Sequence, residues 1–79
     1  MEKWILICIH EREMLPIQLF NSFDEAQAKM RTEFMEDIDP DEFREACESN
    51  GEPFCDDWAL NEGNAWIGGC TDWYIEQIS

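Results

Sequence analysis

Apolar side chains fall along this chain in three rhythms. From residue 3 to 10 the stretch Trp4-Ile5-Leu6-Ile7-Cys8-Ile9 is unbroken and rich in β-branched side chains. That is the pattern of a buried strand, and the charged Glu11-Arg12-Glu13 after it reads as a turn. Residues 14–20 alternate instead, with Leu15, Ile17 and Leu19 on one face. Pro16 lacks a ladder donor, so this second strand belongs at a sheet edge, and the pair makes a hairpin.

The rhythm then changes to three and four. Phe23, Ala26, Met30, Phe34 and Ile38 form one apolar stripe, preceded by Ser22-Phe23-Asp24-Glu25. In that arrangement Ser22 caps free N–H groups while Glu25 reaches back, so a helix is expected over 23–37. A second start follows at Asp39-Pro40-Asp41-Glu42: a cap, a proline suited to the first turn, and acids at the positive end of the dipole. Phe43, Ala46 and Cys47 give this short helix, 40–49, a narrow apolar face, and Asn50-Gly51 stops it.

Residues 52–64 hold Gly, Pro and Asn with little period and read as loop, with a brief strand around Trp58. Ala65-Trp66-Ile67 and Trp73-Tyr74-Ile75-Glu76-Gln77-Ile78 flank Gly68-Gly69-Cys70-Thr71-Asp72 as strand, turn, strand. The expectation is an α+β domain spanning 1–79, an antiparallel sheet of about four strands in the order β-β-α-α-β-β. One main amphipathic helix and one short acidic helix accompany it. Phe23, Met30 and Phe34 should face Trp4, Leu6, Trp66 and Ile75 or their alternate neighbours.

Composition changes this picture in two ways. Ten aromatic residues, four of them Trp, argue against disorder despite the charge. Nineteen Asp and Glu stand against five Lys and Arg, for a formal net charge of −14. Such a charge opposes direct contact with nucleic acid phosphates or anionic lipid and favours a basic partner surface or cations. The apolar run 4–9 is too short to span a membrane and lacks the basic start of an export signal. A cytoplasmic setting follows as the expectation, with Cys8, Cys47, Cys55 and Cys70 reduced.

Candidate chemistry is thin. Asp37, Asp39 and Asp41 with Glu48 at the twelfth place match oxygen ligands of a calcium loop. Glu42 stands where that loop needs Gly, however, Pro40 stiffens it, and caps on a solvated acidic helix account for the same residues. The cysteines and His10 contain no Cys-x-x-Cys knuckle for zinc. Cys8 and His10 share a strand face side by side, with no orienting residue for nucleophilic catalysis. No phosphate loop is present, and nothing singles out a pair of carboxylates for acid–base work. The reading is a binding protein, not an enzyme, with no cofactor and no metal.

What remains is the placement of charge. Residues 33–57 hold eleven acids against Arg44 alone, a net −10. Asp41, Glu45 and Glu48 recur one turn apart on the second helix, where like charges weaken it. These three, with Glu36, Asp37, Asp56 and Asp57, are the candidate partner-binding residues. Trp58 and Tyr74 are weighed as aromatic anchors, with burial expected for both. One function is a mimic of a nucleic acid backbone, competing for the basic groove of a nucleic-acid-binding protein. The alternative is an acidic adaptor that binds a basic protein without displacing nucleic acid. A solvated face with no partner explains the charge as simply.

The segment Ser22-Phe23-Asp24-Glu25-Ala26-Gln27-Ala28-Lys29-Met30, the acidic stretch, and the closing Ala65-Trp66 and Asp72-Trp73-Tyr74-Ile75-Glu76-Gln77-Ile78 resemble a loose group of small acidic proteins. These are encoded by bacterial phages, plasmids and conjugative elements, and some act as anti-CRISPR or anti-restriction inhibitors. Gly68-Gly69-Cys70 and the cysteine content depart from that pattern. The resemblance implies a mobile-element origin and, by analogy, inhibition of a host defence enzyme.

Overall fold

Eight elements make up the chain in the computed structural model, which describes residues 2–78. They are β1 (Trp4–His10), β2 (Glu13–Met14), β3 (Gln18–Phe20), α1 (Phe23–Asp37), α2 (Pro40–Asn50), β4 (Trp58–Leu60), β5 (Asn64–Ile67) and β6 (Thr71–Gln77). The class is α+β and every strand pairing is antiparallel. Strand order is β2-β1-β6-β5-β4, with β3 also paired to β1. The sheet therefore has six strands rather than about four, in the order β-β-β-α-α-β-β-β.

Both extra strands have a local cause. The expected strand 14–20 is cut in two by a change of register. Ile9 opposes Met14 and His10 opposes Glu13, but Leu6 opposes Gln18 and Ile5 opposes Leu19. Between these pairs three residues, Leu15 to Ile17, stand against Ile7 and Cys8, so one residue is extra and the strand bulges at Pro16. A one-residue slip swaps faces. Leu15 consequently lines a cavity beneath α1, while Leu19 sits on the far side of the sheet at 66% exposure. The three leucine and isoleucine side chains do not share a face. At the other edge Trp58, Ala59 and Leu60 are all buried and form β4, the brief strand around Trp58, within a segment whose Gly and Pro content otherwise reads as loop. Phe54 bridges to Ala59 outside it.

Both helices begin and end where their caps dictate. Ser22 Oγ accepts from the Glu25 N–H at 3.2 Å, and the Glu25 carboxylate accepts from the Asn21 N–H at 3.1 Å. Ile38, in an extended conformation, ends α1, and Asp39, held extended by the proline after it, caps α2 by accepting from the Asp41 N–H at 2.8 Å. Gly51 closes α2 in the left-handed conformation, donating to Cys47 O at 2.9 Å.

Core packing lies between α1 and one face of the sheet. Leu6, Met30 and Phe34 are wholly buried, with Trp73 at 1% exposure. Phe34 meets Trp58 and Trp73 edge to face at 5.6 and 5.7 Å, and Phe23 meets Trp4 at 5.3 Å. Trp66 is not part of this layer. Its partner Asp72 alternates with buried Thr71 and Trp73, which places Trp66 on the opposite face. Trp73 takes the expected role instead. α2 attaches through buried Ala46 and through Phe43, stacked on Trp58 at 5.8 Å and 10°.

Candidate functional site

Every acid singled out from the sequence is exposed: Glu36, Asp37, Asp41, Glu45, Glu48, Asp56 and Asp57. Geometry on α2 explains three of them. Phe43 stacks on Trp58 and Ala46 is buried in the core, and a helix of 3.6 residues per turn then sends Asp41, Glu45 and Glu48 to the opposite side as one stripe. Asp41 alone among the seven has a cation beside it, Arg44 at 3.0 Å, in a pair open to solvent. Such exposed pairs neutralise little. Cys55 and Trp58 share a shallow cavity of about 280 Å³ with Glu42 and Glu45, which brings the segment carrying Asp56 near the stripe, whereas Asp57 pairs opposite Gly68 and alternates with buried Trp58 onto the sheet face away from the helices.

Glu36 and Asp37 occupy a different place. They border a larger cavity, about 570 Å³, between the C-terminal half of α1 and the bulged edge of the sheet. The seven residues are thus not one continuous patch: three line α2 with Asp56 near them, Glu36 and Asp37 border the larger cavity, and Asp57 turns to the other face of the sheet.

That larger cavity is lined by Glu33, which the sequence did not single out, together with Cys8 and His10. Glu33 is half-buried, accepting from the Trp73 indole N–H at 3.2 Å and from Gln18 Nε2 at 2.8 Å, with Lys29 Nζ at 3.9 Å. It is an internal tie between helix and sheet, and its position beside Phe34 in the stripe was the available signal. His10 Nδ1 lies 2.7 Å from Thr71 Oγ1 and 3.9 Å from Cys70 Sγ. Burial pushes the Cys8 thiol up to about 11, with the negative charges of Glu33, Asp37 and Asp72 adding to the effect. A thiol held protonated in this way is a poor nucleophile. All four cysteines are unpaired. Among the described residues no three His, Cys, Asp or Glu side chains converge as metal ligands would.

Of the two aromatic anchors considered, Trp58 is buried beneath Phe43 and Phe34. Tyr74 is 43% exposed, contrary to expectation, and it opposes Ile7 on the side of the sheet away from the helices. Neither adds to the acidic layer.

No family model, curated protein or solved structure matches the chain.

Proposed function

We propose that the acidic helical layer is a protein mimic of a nucleic acid backbone, inhibiting a nucleic-acid-binding enzyme by occupying its basic groove. The observation that carries this reading is the state of the carboxylates. Six of the seven exposed acids lack any ion pair or side-chain hydrogen bond among the described residues, so their charge is free to act outward. On α2 they recur at a spacing of about 5–6 Å between β-carbons, widening toward phosphate-like separations at the carboxylates. A field of this strength speeds encounter with a basic surface. The resemblance to mobile-element proteins makes a host defence nuclease the class of partner to test first, in a cytoplasmic setting.

The test is competition. The chain is used to capture partners from a bacterial lysate, with and without excess DNA or RNA. A nuclease that is captured and then displaced by nucleic acid supports mimicry. A basic partner retained at full strength supports the adaptor instead. In parallel, Asp41→Asn, Glu45→Gln and Glu48→Gln combined should slow association with the captured partner by about tenfold or more. Unchanged capture by that variant would reduce the stripe to a solvated face.

A further inference from the structure

The side of the sheet away from the helices has no covering layer among the described residues, and the molecule is only 16 Å deep along its shortest axis. Register identifies what lies there. Ile5, Ile7 and Ile9 alternate with buried Leu6 and Cys8, and they oppose Leu19 and Met14 on one side and Glu76, Tyr74 and Asp72 on the other. Seven large apolar side chains are exposed among the described residues. Leu15 alone belongs to the helix side, lining the cavity beneath α1. The other six fall on the bare face by pairing or alternation: Met14, Ile17, Leu19, Phe54, Tyr74 and Ile78.

Charge is partitioned the opposite way. In step with Ile5 the bare face carries Lys3, together with Asp72 and Glu76, and Glu11 and Arg12 form the turn at its rim. With Asp57, which alternates with buried Trp58 onto this face, two cations stand against four anions, a net of −2 in a chain of net −14. A basic partner is drawn to the helical layer. The apolar, nearly neutral sheet face fits something equally apolar and nearly neutral.

We propose that this face docks a second copy of the chain, giving a twofold dimer with the sheets back to back and the acidic layers outermost. Size permits it. Three strand positions of about seven residues each, with the shorter β5 and β4 beside them, at about 4.8 Å by about 3.4 Å per residue, make a face of roughly 450 Å². With protruding side chains that reaches the roughly 500 Å² per partner that a specific interface needs, at the small end of the range. A twofold interface sets a patch against itself, so Lys3 and Arg12 of one copy can meet the acids of the other. Pairing edge to edge is disfavoured, since the bulge and Pro16 interrupt one edge and Phe54 bridges beside the other. The arrangement keeps the two highly charged layers on opposite sides of four stacked layers.

Sedimentation equilibrium across protein concentration reads the result. The full chain should shift from 9.4 kDa toward twice that mass and plateau there. Added salt should strengthen the association, because the apolar contact is insensitive to screening while the repulsion between acidic layers is weakened. Leu19→Glu with Tyr74→Glu should weaken dimerisation at least about tenfold while far-ultraviolet circular dichroism stays unchanged. Tyr74→Ser, which removes an exposed ring without adding charge, replaces the double variant if that one unfolds, and should weaken dimerisation in the same direction. Glu45→Gln, on the other layer, should leave it intact. A chain that stays at 9.4 kDa up to about millimolar concentration overturns the proposal, as do masses rising past the dimer without a plateau or substituted chains that dimerise like the parent.

Discussion

Cys8 stands where the core meets the acidic layer, and its environment is hostile to a thiolate. The thiol moves from an ordinary 9.0 to about 11, through burial first and then the fields of Glu33, Asp37 and Asp72. A group that holds its proton longer in the folded chain than in the unfolded one contributes stability below the unfolded value. That contribution is lost as pH rises through the folded value. Between pH 9 and 11 the parent should therefore lose up to about 3 kcal/mol that Cys8→Ala does not lose. Denaturant midpoints for both chains from pH 7 to 10.5 check this, and parallel slopes would refute it. At pH 8 a thiol reagent should label the three less buried cysteines before Cys8. A second residue-scale tension lies in the first turn. Glu11 and Arg12 both have positive φ, 50° and 72°, in a two-residue hairpin between His10 and Glu13. That geometry favours Asn-Gly. Replacing them, Glu11→Asn with Arg12→Gly, should raise stability by about 1 kcal/mol, seen as a higher thermal midpoint. Sequence placed this turn correctly but gave no sign of its handedness, since charged residues are common in turns of either hand.

The two helices were legible to within a residue because their signals are local. A capping box and a 3.6-residue stripe are complete within the segment that folds. The sheet was less legible because its decisive facts are relations between strands. Alternation at Leu15, Ile17 and Leu19 announced a strand, but only pairing with β1 reveals the extra residue and which face each side chain takes. Alternation is equally silent on whether a face is covered, so Trp66 and Trp73 looked alike from the sequence. β4 was legible only as a brief strand around Trp58, without bounds, because Trp58, Ala59 and Leu60 are buried together, which removes the period that marks a half-exposed strand. These placements grade the elements energetically. Phe34, wholly buried between two indoles, should cost about 3–5 kcal/mol as Phe34→Ala, most of a small domain's stability. Phe43 ties only α2 to the sheet, through Trp58. Phe43→Ala should accordingly speed amide exchange across 40–50 while leaving α1 and β1 protected. Equal loss of protection in all three would show that α2 is an integral part of one cooperative core.

Over the whole molecule the net charge of −14 is distributed against stability, with −10 of it in residues 33–57. The candidate site was legible as a set of exposed acids. What the sequence did not contain was its division, with Glu36 and Asp37 turned toward the cavity at the bulged edge, Asp41, Glu45 and Glu48 along α2, and Asp57 on the far face of the sheet. Repulsion within this layer is long-ranged and screenable, so the thermal midpoint should rise with sodium chloride from about 10 mM to about 500 mM, where the Debye length falls well below 10 Å. Single charges on α2 should separate by their position along the helix. Asp41 lies in the first turn, favourable to the dipole, and pairs with Arg44 at 3.0 Å. Glu48 lies in the last turn, where the dipole is negative and no basic residue answers it. Glu48→Gln should thus stabilise the chain by about 0.3–1 kcal/mol at low salt, and Asp41→Asn should be neutral or slightly destabilising. Both differences should fade at about 500 mM salt. The comparison bears on function because an acid retained at a helix C-terminus against its own dipole needs a reason outside the fold. If Glu48→Gln gains stability and also loses capture of the basic partner, the strain in α2 belongs to binding. Should Glu48→Gln leave the thermal midpoint unmoved at low salt, the acidic layer exacts no cost from the fold, and the case for mimicry rests on the competition experiment alone.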